Sequence, residues 1–269
     1  MPLNIAVCIK QVPDPEQFDR ITMDPGTGSI IRSGIAAVTN LLDRHALEEA
    51  LRIREKYGGS VTILTMGPPQ ARKCLEEALA TGADRGVLLC DPSFAGADTL
   101  ATARVLAAGI RTLDGCDLVL CGNESVDGST GQLPAQLAYF LGLPHVNYVR
   151  KIHWMDERRV VIERSTEGGY LKVDLRLPAV MAVLRRINNY RLPTVMGIMD
   201  AAGKPIVEHG CAVCEGAGLS WEEIGGKGSP TKVAGVFEPA NRRNVQMIEG
   251  EPQEIAKKLV RKLHELDAI

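Results

Sequence analysis

The sequence has few aromatic residues, almost no net charge and no long apolar run. Phe, Trp and Tyr make up 4% of its 269 residues, and the formal net charge is -2. Such a balanced charge gives no electrostatic reason to expect nucleic acid or an anionic membrane as a partner. No segment approaches the roughly 18 consecutive apolar residues that a transmembrane helix needs. We therefore expect neither nucleic-acid binding nor membrane insertion.

The opening residues, MPLNIAVCIK, lack the features of a secretory signal. They have no basic n-region, and their apolar run is too short for an h-region, so we expect a cytoplasmic protein. Hydrophobic residues make up 45% of the sequence and charged residues 24%, which is ordinary for a globular protein. A chain of this length buries roughly 75% of its unfolded surface, which favours one large domain with appendages over two independent domains.

The cysteine pattern argues against a disulfide framework. There are seven cysteines, an odd number, and most lie within or beside apolar stretches, which is typical of reduced, buried thiols. Cys211 and Cys214 have the C-x-x-C spacing of metal sites, but the sequence offers no second pair to complete a four-coordinate site. We expect no bound metal. The sequence also lacks the G-x-x-x-x-G-K-[ST] and G-x-G-x-x-G loops of common nucleotide-binding proteins.

The most informative segment is 117–142, DLVLCGNESVDGSTGQLPAQLAYFLG, which reads as an apolar strand, a loop of small polar residues and a helix. Because a proline is tolerated only in the first turn of a helix, Pro134 predicts an N-cap at about Gly131 or later. Residues 128–131 then remain in the loop, where hydroxyls and backbone amides can converge on a phosphate at the helix N-terminus. An ordinary capped turn is the alternative interpretation of this pattern.

Strands and helices alternate through the first two thirds of the sequence. Apolar runs predict strands at 5–9, 60–65, 86–90 and 117–121. Helical periodicity predicts four helices: one that begins at 43, one that ends at about 80, one over 98–112 and one that begins after 131. Such alternation is typical of a doubly wound α/β fold with a mainly parallel sheet. A hairpin is predicted over 20–32, around DPGTGS.

Beyond Leu143 the pattern changes. Strand-like runs at 146–149, 160–165, 170–177 and 180–184 follow one another without helices, which predicts an antiparallel extension of the sheet. Residues 186–269 are rich in helix breakers and end in an amphipathic helix over 252–266. We therefore divide the chain into an α/β domain, 1–185, and a C-terminal arm, 186–269, that lies along the main domain or a partner.

Several segments together resemble the beta subunit of electron-transfer flavoproteins over essentially the whole chain. They are AVCIKQVPD, LDRHALEEALRI, LTMGPPQA, ALATGADRGVLL, FAGADT, GNESVDGSTGQ and KGSPT. The resemblance implies an adenine-nucleotide-hydrolase-like fold, an alpha subunit as partner, and an adenine nucleotide in the beta subunit. That nucleotide is a structural AMP in simple members of the family and a second FAD, reduced by NADH, in electron-bifurcating members. FAGADT and KGSPT look more like the bifurcating members, so we expect FAD, with AMP as the alternative.

The same resemblance implies a set of cofactor-binding residues. They are Cys8, Asn40, Leu41, Leu42, Asp43, Met66, Gly122, Asn123, Glu124, Ser125, Val126, Asp127, Gly128, Ser129, Thr130, Gly131, Gln132 and Leu133. Two departures from the family pattern affect individual contacts. The family usually has Asn-Pro before the first helix where this chain has Asn40-Leu41-Leu42-Asp43, and Leu133 is followed here by Pro134.

The resemblance also implies partners and a recognition loop. Residues 190–201 correspond to the family's dehydrogenase-docking loop, with Val195 at the apolar anchor and Leu192, Met196 and Ile198 beside it. Electrons from NADH would pass to an acyl-CoA dehydrogenase and to ferredoxin or flavodoxin, and the flavin, not a catalytic side chain, would carry the chemistry. An ATP-binding protein of the same fold and an interaction subunit with an empty pocket are the competing hypotheses.

Overall fold

The computed structural model describes residues 2–20, 22–23, 30–31, 34–234 and 245–268. In chain order its strands are β1 (Leu3–Cys8), β2 (Gln11–Pro13), β3 (Thr22–Met23), β4 (Ile30–Ile31), β5 (Ala37–Thr39), β6 (Gly59–Met66), β7 (Arg85–Leu89), β8 (Leu118–Gly122), β9 (His145–Met155), β10 (Arg159–Thr166), β11 (Gly169–Arg176), β12 (Ala179–Val183) and β13 (Ile206–His209). Its α-helices are α1 (Leu41–Tyr57), α2 (Arg72–Thr81), α3 (Thr99–Arg111), α4 (Leu133–Leu141), α5 (Val195–Ala201), α6 (Ala212–Gly216) and α7 (Pro252–Glu265).

A nine-stranded sheet forms the centre of the first unit, in the order β11-β10-β9-β12-β8-β1-β6-β7-β13. The strands from β9 to β13 in this order run parallel, and β10 and β11 add an antiparallel extension. The chain winds outward from β1 to β6 and β7, and then returns to place β8 on the other side of β1. The order therefore reverses between β1 and β8, and α/β proteins bind ligands in the crevice that such a reversal opens at the carboxyl ends of the strands.

Helices cover both faces of this sheet, and each face has its own apolar core. On one face, Val7 and Ile63 of the sheet pack in a cluster with Leu51 of α1 and Leu75 of α2. On the other, Leu64 and Val119 pack with residues of α3 and α4. The fold class predicted from the sequence, a mainly parallel α/β sheet with an antiparallel extension, is confirmed.

The positions at which helices α3 and α4 begin follow from the local sequence. Pro134 is the second residue of α4 and Gln132 is its N-cap, in agreement with the limit that the proline sets. Asp98 caps α3 by accepting hydrogen bonds from Leu100 and Ala101 N–H. The predicted hairpin is present as the β3–β4 pair, and its DPGTGS turn lies outside the described residues.

The structure forms two compact units, residues 1–233 and 234–269. The division at residue 185 stays a prediction, but β13 pairs in parallel with β7, so part of the segment assigned to the arm belongs to the sheet. Sequence patterns missed β13 because four residues are too short for a period to show, and the edge of β7 supplies the pairing. Within the described residues, no helix is both long enough and apolar enough to cross a membrane.

Candidate functional site

A cleft of about 470 Å³ opens at the carboxyl ends of β1, β6 and β8. This volume falls in the range of small-molecule sites. Twelve of the residues assigned from the sequence line it: Cys8, Asn40, Asp43, Met66, Gly122, Asn123, Glu124, Ser125, Thr130, Gly131, Gln132 and Leu133. The other six, Leu41, Leu42, Val126, Asp127, Gly128 and Ser129, lie next to these along the chain and do not line the cleft.

The loop between β8 and α4 presents unused backbone donors to the cleft. The N–H groups of Thr130, Gly131 and Gln132 have no hydrogen-bond acceptor in the described part of the chain, and no side chain caps α4. Gly131 has a φ of 61°, a left-handed conformation that glycine adopts without steric cost. Free amides together with the positive end of the α4 dipole make this loop suited to a phosphate group.

Asn40, the N-cap of α1, holds this loop through both ends of its amide. Its Nδ2 donates to the carbonyl oxygen of Glu124 at 3.0 Å, and its Oδ1 accepts from Val126 N–H at 3.2 Å. The side chain is 1% exposed. Because both bonds go to backbone atoms of the loop, Asn40 fixes the loop's path, whatever side chains the loop carries.

Asp43 joins the ends of the two central strands. Its Oδ2 accepts from Lys10 N–H at 2.8 Å, and its Oδ1 accepts from Gly122 N–H at 3.0 Å. Burial raises the pKa of Asp43 to about 7, although these hydrogen bonds and the nearby Lys10 charge favour the ionised form. Glycine is required at position 122, since a Cβ there would lie 2.4 Å from Asp43 Oδ1.

Lys10 places a cation at the rim of the cleft, and the sequence assignment did not include it. Its Nζ contacts Asp127 Oδ1 at 2.7 Å and Ser125 Oγ at 3.3 Å. Its side chain is 46% exposed, whereas that of Asp127 is 8% exposed. Lys10 belongs to the AVCIKQVPD segment, one of those on which the family resemblance rests. Its place in that segment is the sequence signal that could have identified Lys10 as a residue of the site.

The far wall of the cleft is built by two segments that the sequence separates widely. Asp98 accepts from Thr231 N–H at 3.0 Å, and its own N–H donates to Ser229 Oγ at 2.8 Å. Burial opposes the charge of Asp98, but N–H donors from Ala101, Thr231 and Leu100 hold its pKa below the usual value. The FAGADT and KGSPT segments thus meet at one place.

Besides Lys10, the lining residues absent from the sequence assignment are Ile9, Ala97, Asp98, Thr99, Thr102, Leu106, Cys121, Pro134 and Thr231.

The floor of the cleft is apolar. Cys8 and Cys121 lie opposite each other in the β1–β8 pair, and both are buried. Burial raises the pKa of both thiols well above the ordinary value, so they are neutral. Together with Met66 they line the cleft without adding a charge, and the polar groups of the cleft are concentrated in the loop and the walls.

A second candidate region is the segment predicted to dock a partner. It leads into α5, which begins at Val195 behind the capping side chain of Thr194. Leu192 is 69% exposed and Val195 76%. Met196 and Ile198 are also exposed, as is Met199, which the sequence assignment did not include. The structure therefore presents a continuous set of apolar side chains at the surface of this short segment.

A family model for the electron transfer flavoprotein domain matches residues 27–212. Over 262 residues the chain is 40% identical to the electron transfer flavoprotein subunit beta of Thermoanaerobacterium thermosaccharolyticum, in a match that covers 97% of this chain and 98% of that protein. The chain belongs to the electron transfer flavoprotein family. The sequence motifs predicted that the chain belongs to this family, and they predicted that it resembles the beta subunit.

Other relatives in the electron transfer flavoprotein family widen the comparison. The chain is 41% identical over 267 residues to the caffeyl-CoA reductase-Etf complex subunit CarD of Acetobacterium woodii, covering 98% of each protein. It is 41% identical over 249 residues to the protein FixA of Azorhizobium caulinodans, covering 89% of this chain and 86% of that protein. These relatives span nearly the full chain, so the likeness includes the arm as well as the α/β sheet.

Proposed function

We propose that the chain is the beta subunit of a heterodimeric, electron-bifurcating electron transfer flavoprotein. In this proposal it binds FAD in the cleft, takes electrons from NADH, and delivers them to an acyl-CoA dehydrogenase and to ferredoxin or flavodoxin, in complex with an alpha subunit. The observation that carries the proposal is the row of N–H donors at 130–132, which have no acceptor among the described residues and lie where the strand order reverses.

The residues of the cleft fit an adenine dinucleotide. The loop offers N–H donors to a pyrophosphate, and the loop itself is tied to the end of β1 by the ion pair between Lys10 and Asp127 at the rim. The cleft is also lined by Thr99, Thr102 and Thr231. Thr99 and Thr231 belong to the two segments that look like bifurcating members, and this supports FAD as the ligand.

The chain's own residues would position the cofactor and keep water away from it. A bound flavin supplies the hydride and one-electron chemistry. Asn40 and Asp43 fix the loop and the strand ends that surround the ligand, and neutral Cys8 and Cys121 exclude a competing charge from the floor. Similarity to a subunit of the caffeyl-CoA reductase-Etf complex supports this function over the alternative, a non-bifurcating beta subunit with a structural AMP.

Two surfaces would serve the protein partners. We propose that Leu192, Val195, Met196 and Ile198 dock the acyl-CoA dehydrogenase, because they are exposed together on one segment. We also propose that α7 binds the alpha subunit. Within its own unit, α7 leaves Leu259 and Val260 about half exposed and Leu266 more so, which is typical of a helix that packs on another chain.

Cofactor stoichiometry tests this function directly. Denaturing extraction of the purified alpha–beta complex is expected to release two FAD per heterodimer. One FAD with one AMP would refute the bifurcating proposal and support the alternative, a structural AMP in the same cleft. Neither nucleotide in the beta subunit would refute the cleft assignment itself.

A glycine substitution tests the phosphate loop. Gly131→Val should remove the beta-site nucleotide while leaving the alpha-site FAD, because a β-branched residue at φ 61° is strained and would displace the loop amides. Gly168→Val is the matched control, since a Cβ at position 168 meets nothing within 4 Å. Full nucleotide content in Gly131→Val would count against this loop as the phosphate site.

A further inference from the structure

Arg191 ties the start of the docking segment to helix α1. Its Nε donates to Glu48 Oε2 at 2.8 Å, and its backbone N–H donates to the same oxygen at 3.0 Å. The other end of the guanidinium reaches Glu55, one contact being 3.1 Å from Nη2 to Oε2. One arginine therefore bridges two carboxylates two helical turns apart, and we call Arg191, Glu48 and Glu55 the Arg191 clamp.

The electrostatics of the clamp favour a fixed geometry. The Glu48 side chain is 4% exposed, and it also accepts from Arg52 Nε at 2.6 Å. Burial tends to raise the pKa of Glu48, but the hydrogen bonds from Arg191 and Arg52 outweigh it and lower the pKa. A planar guanidinium can bond both carboxylates at once, whereas a lysine ammonium is a single point charge.

The chain just before Arg191 is held independently. Asn188 Nδ2 donates to the carbonyl oxygen of His45 at 3.0 Å, and the ring of Tyr190 packs edge-on against His45 with centroids 5.1 Å apart. These contacts would keep the chain on α1 up to Tyr190 if the clamp were absent. Loss of Arg191 would then release only the residues on its C-terminal side.

The far end of the docking segment is fixed on α2. Gly197 packs so closely against Ala80 that an added Cβ would lie 2.2 Å from the Ala80 carbonyl oxygen. Lys204 Nζ donates to the carbonyl oxygens of Leu79 and Ala83, at 2.9 and 2.8 Å. Both ends of the segment are therefore held, and its middle carries apolar side chains that are mostly in solvent.

We propose that Arg191 is a positioning residue for partner docking, which presets Leu192 and Val195 before the dehydrogenase arrives. This inference rests on the docking surface of the proposed function. A segment of exposed apolar side chains without a fixed backbone would have to be ordered on binding, and that ordering weakens affinity. The clamp removes this cost while leaving the apolar side chains free for the partner.

The test uses the complete alpha–beta complex with a purified acyl-CoA dehydrogenase. Arg191→Met is expected to raise the KM for the dehydrogenase roughly 10-fold, with kcat and flavin content unchanged. Amide hydrogen exchange over 192–196 should become faster. Arg191→Lys should restore only part of the affinity. Arg72→Met is the matched control, because Arg72 pairs with Glu76 on an exposed face of α2 and should change neither quantity.

Two further variants separate the possible outcomes. Val195→Asp should raise the same KM without affecting exchange at Arg191; an unchanged KM would refute the docking surface and this inference with it. A Val195→Asp effect together with an unchanged KM in Arg191→Met would refute Arg191 alone. If Arg191→Met does not assemble, Glu55→Gln serves in its place, because it neutralises only the more exposed carboxylate of the clamp. It is expected to raise the KM by a smaller factor. An unchanged KM would refute the proposed role of the Arg191 clamp.

Discussion

The cleft and the docking segment are held in place by different kinds of bond. In the cleft, Asn40 and Asp43 bond mainly to backbone groups and are almost fully buried. In the docking segment, Arg191 bonds to two carboxylates, and its own side chain is 37% exposed. Backbone-directed bonds fix where the chain runs. Ion pairs fix the surface segment that we propose as the docking site.

The pKa values of the buried acids in the two regions are shifted in opposite directions. Burial raises the pKa of Asp43, so the folded protein favours its neutral form. The guanidinium groups of Arg191 and Arg52 overcome burial at Glu48 and lower its pKa, so the folded protein favours the charged form there. A buried acid held mainly by backbone N–H groups and a buried acid paired with two guanidinium groups thus contribute to stability in different ranges of pH.

The largest effect is expected from Asn40→Ala. It would leave Glu124 C=O and Val126 N–H without their partner, which should lower the free energy of unfolding by about 3 kcal/mol and release the nucleotide. Chemical denaturation and nucleotide extraction measure both. Asn147→Ala is the control, because its bond to the Gly131 carbonyl is 3.5 Å long and should contribute little. Similar losses in the two variants would contradict the role given to Asn40.

Asp43→Asn should produce a pH-dependent effect. The folded pKa of about 7 lies above the unfolded value of 3.8, so the stability contributed by Asp43 is complete below about pH 4 and is lost as the pH rises to 7. Relative to Asp43→Asn, the wild type should therefore lose stability progressively between pH 4 and pH 8, measured by denaturation at each pH.

Glu48→Gln provides the opposite case. Because the folded pKa of Glu48 is lowered, its stabilising contribution is present above its unfolded pKa of about 4.5 and is lost as the pH falls through the folded value. The difference between wild type and Glu48→Gln should therefore shrink only in acid. If both variants changed in the same direction over the same pH range, the contrast between the two regions would be wrong.

The sequence predicted the sheet because the signals of its strands and helices are local, whereas the family resemblance supplied the twelve assigned residues that line the cleft. Apolar runs identify β1, β6, β7 and β8, and Pro134 limits the start of α4 from its own neighbours. The contacts that sequence reasoning missed join distant positions. Asp98 and Thr231 are 133 residues apart, and Glu48 and Arg191 are 143 apart. A charged residue in a sequence does not reveal which distant charge it meets, so the Arg191 clamp could not be predicted without the fold.

The smallest expected effect concerns Tyr148, whose backbone N–H donates to Asn123 Oδ1 at 3.0 Å and so supports the cleft from β9. Tyr148 has a φ of 62°, which is rare for a bulky residue and costs about 1 kcal/mol. Tyr148→Gly should therefore be about 1 kcal/mol more stable than Tyr148→Ala, which reverses the usual preference in strands.

The same pair of substitutions at Lys151, an exposed residue of β9 without a positive φ, supplies the control for this prediction. There alanine should be more stable than glycine. Nucleotide content should stay unchanged in both Tyr148 variants, because the bond to Asn123 comes from the backbone and survives the loss of the ring. Loss of nucleotide in Tyr148→Gly would show that the ring itself, which Arg164 covers at 5.6 Å, is needed to hold the cleft. The cleft would then depend on side-chain packing at its edge, as the docking segment depends on its ion pairs.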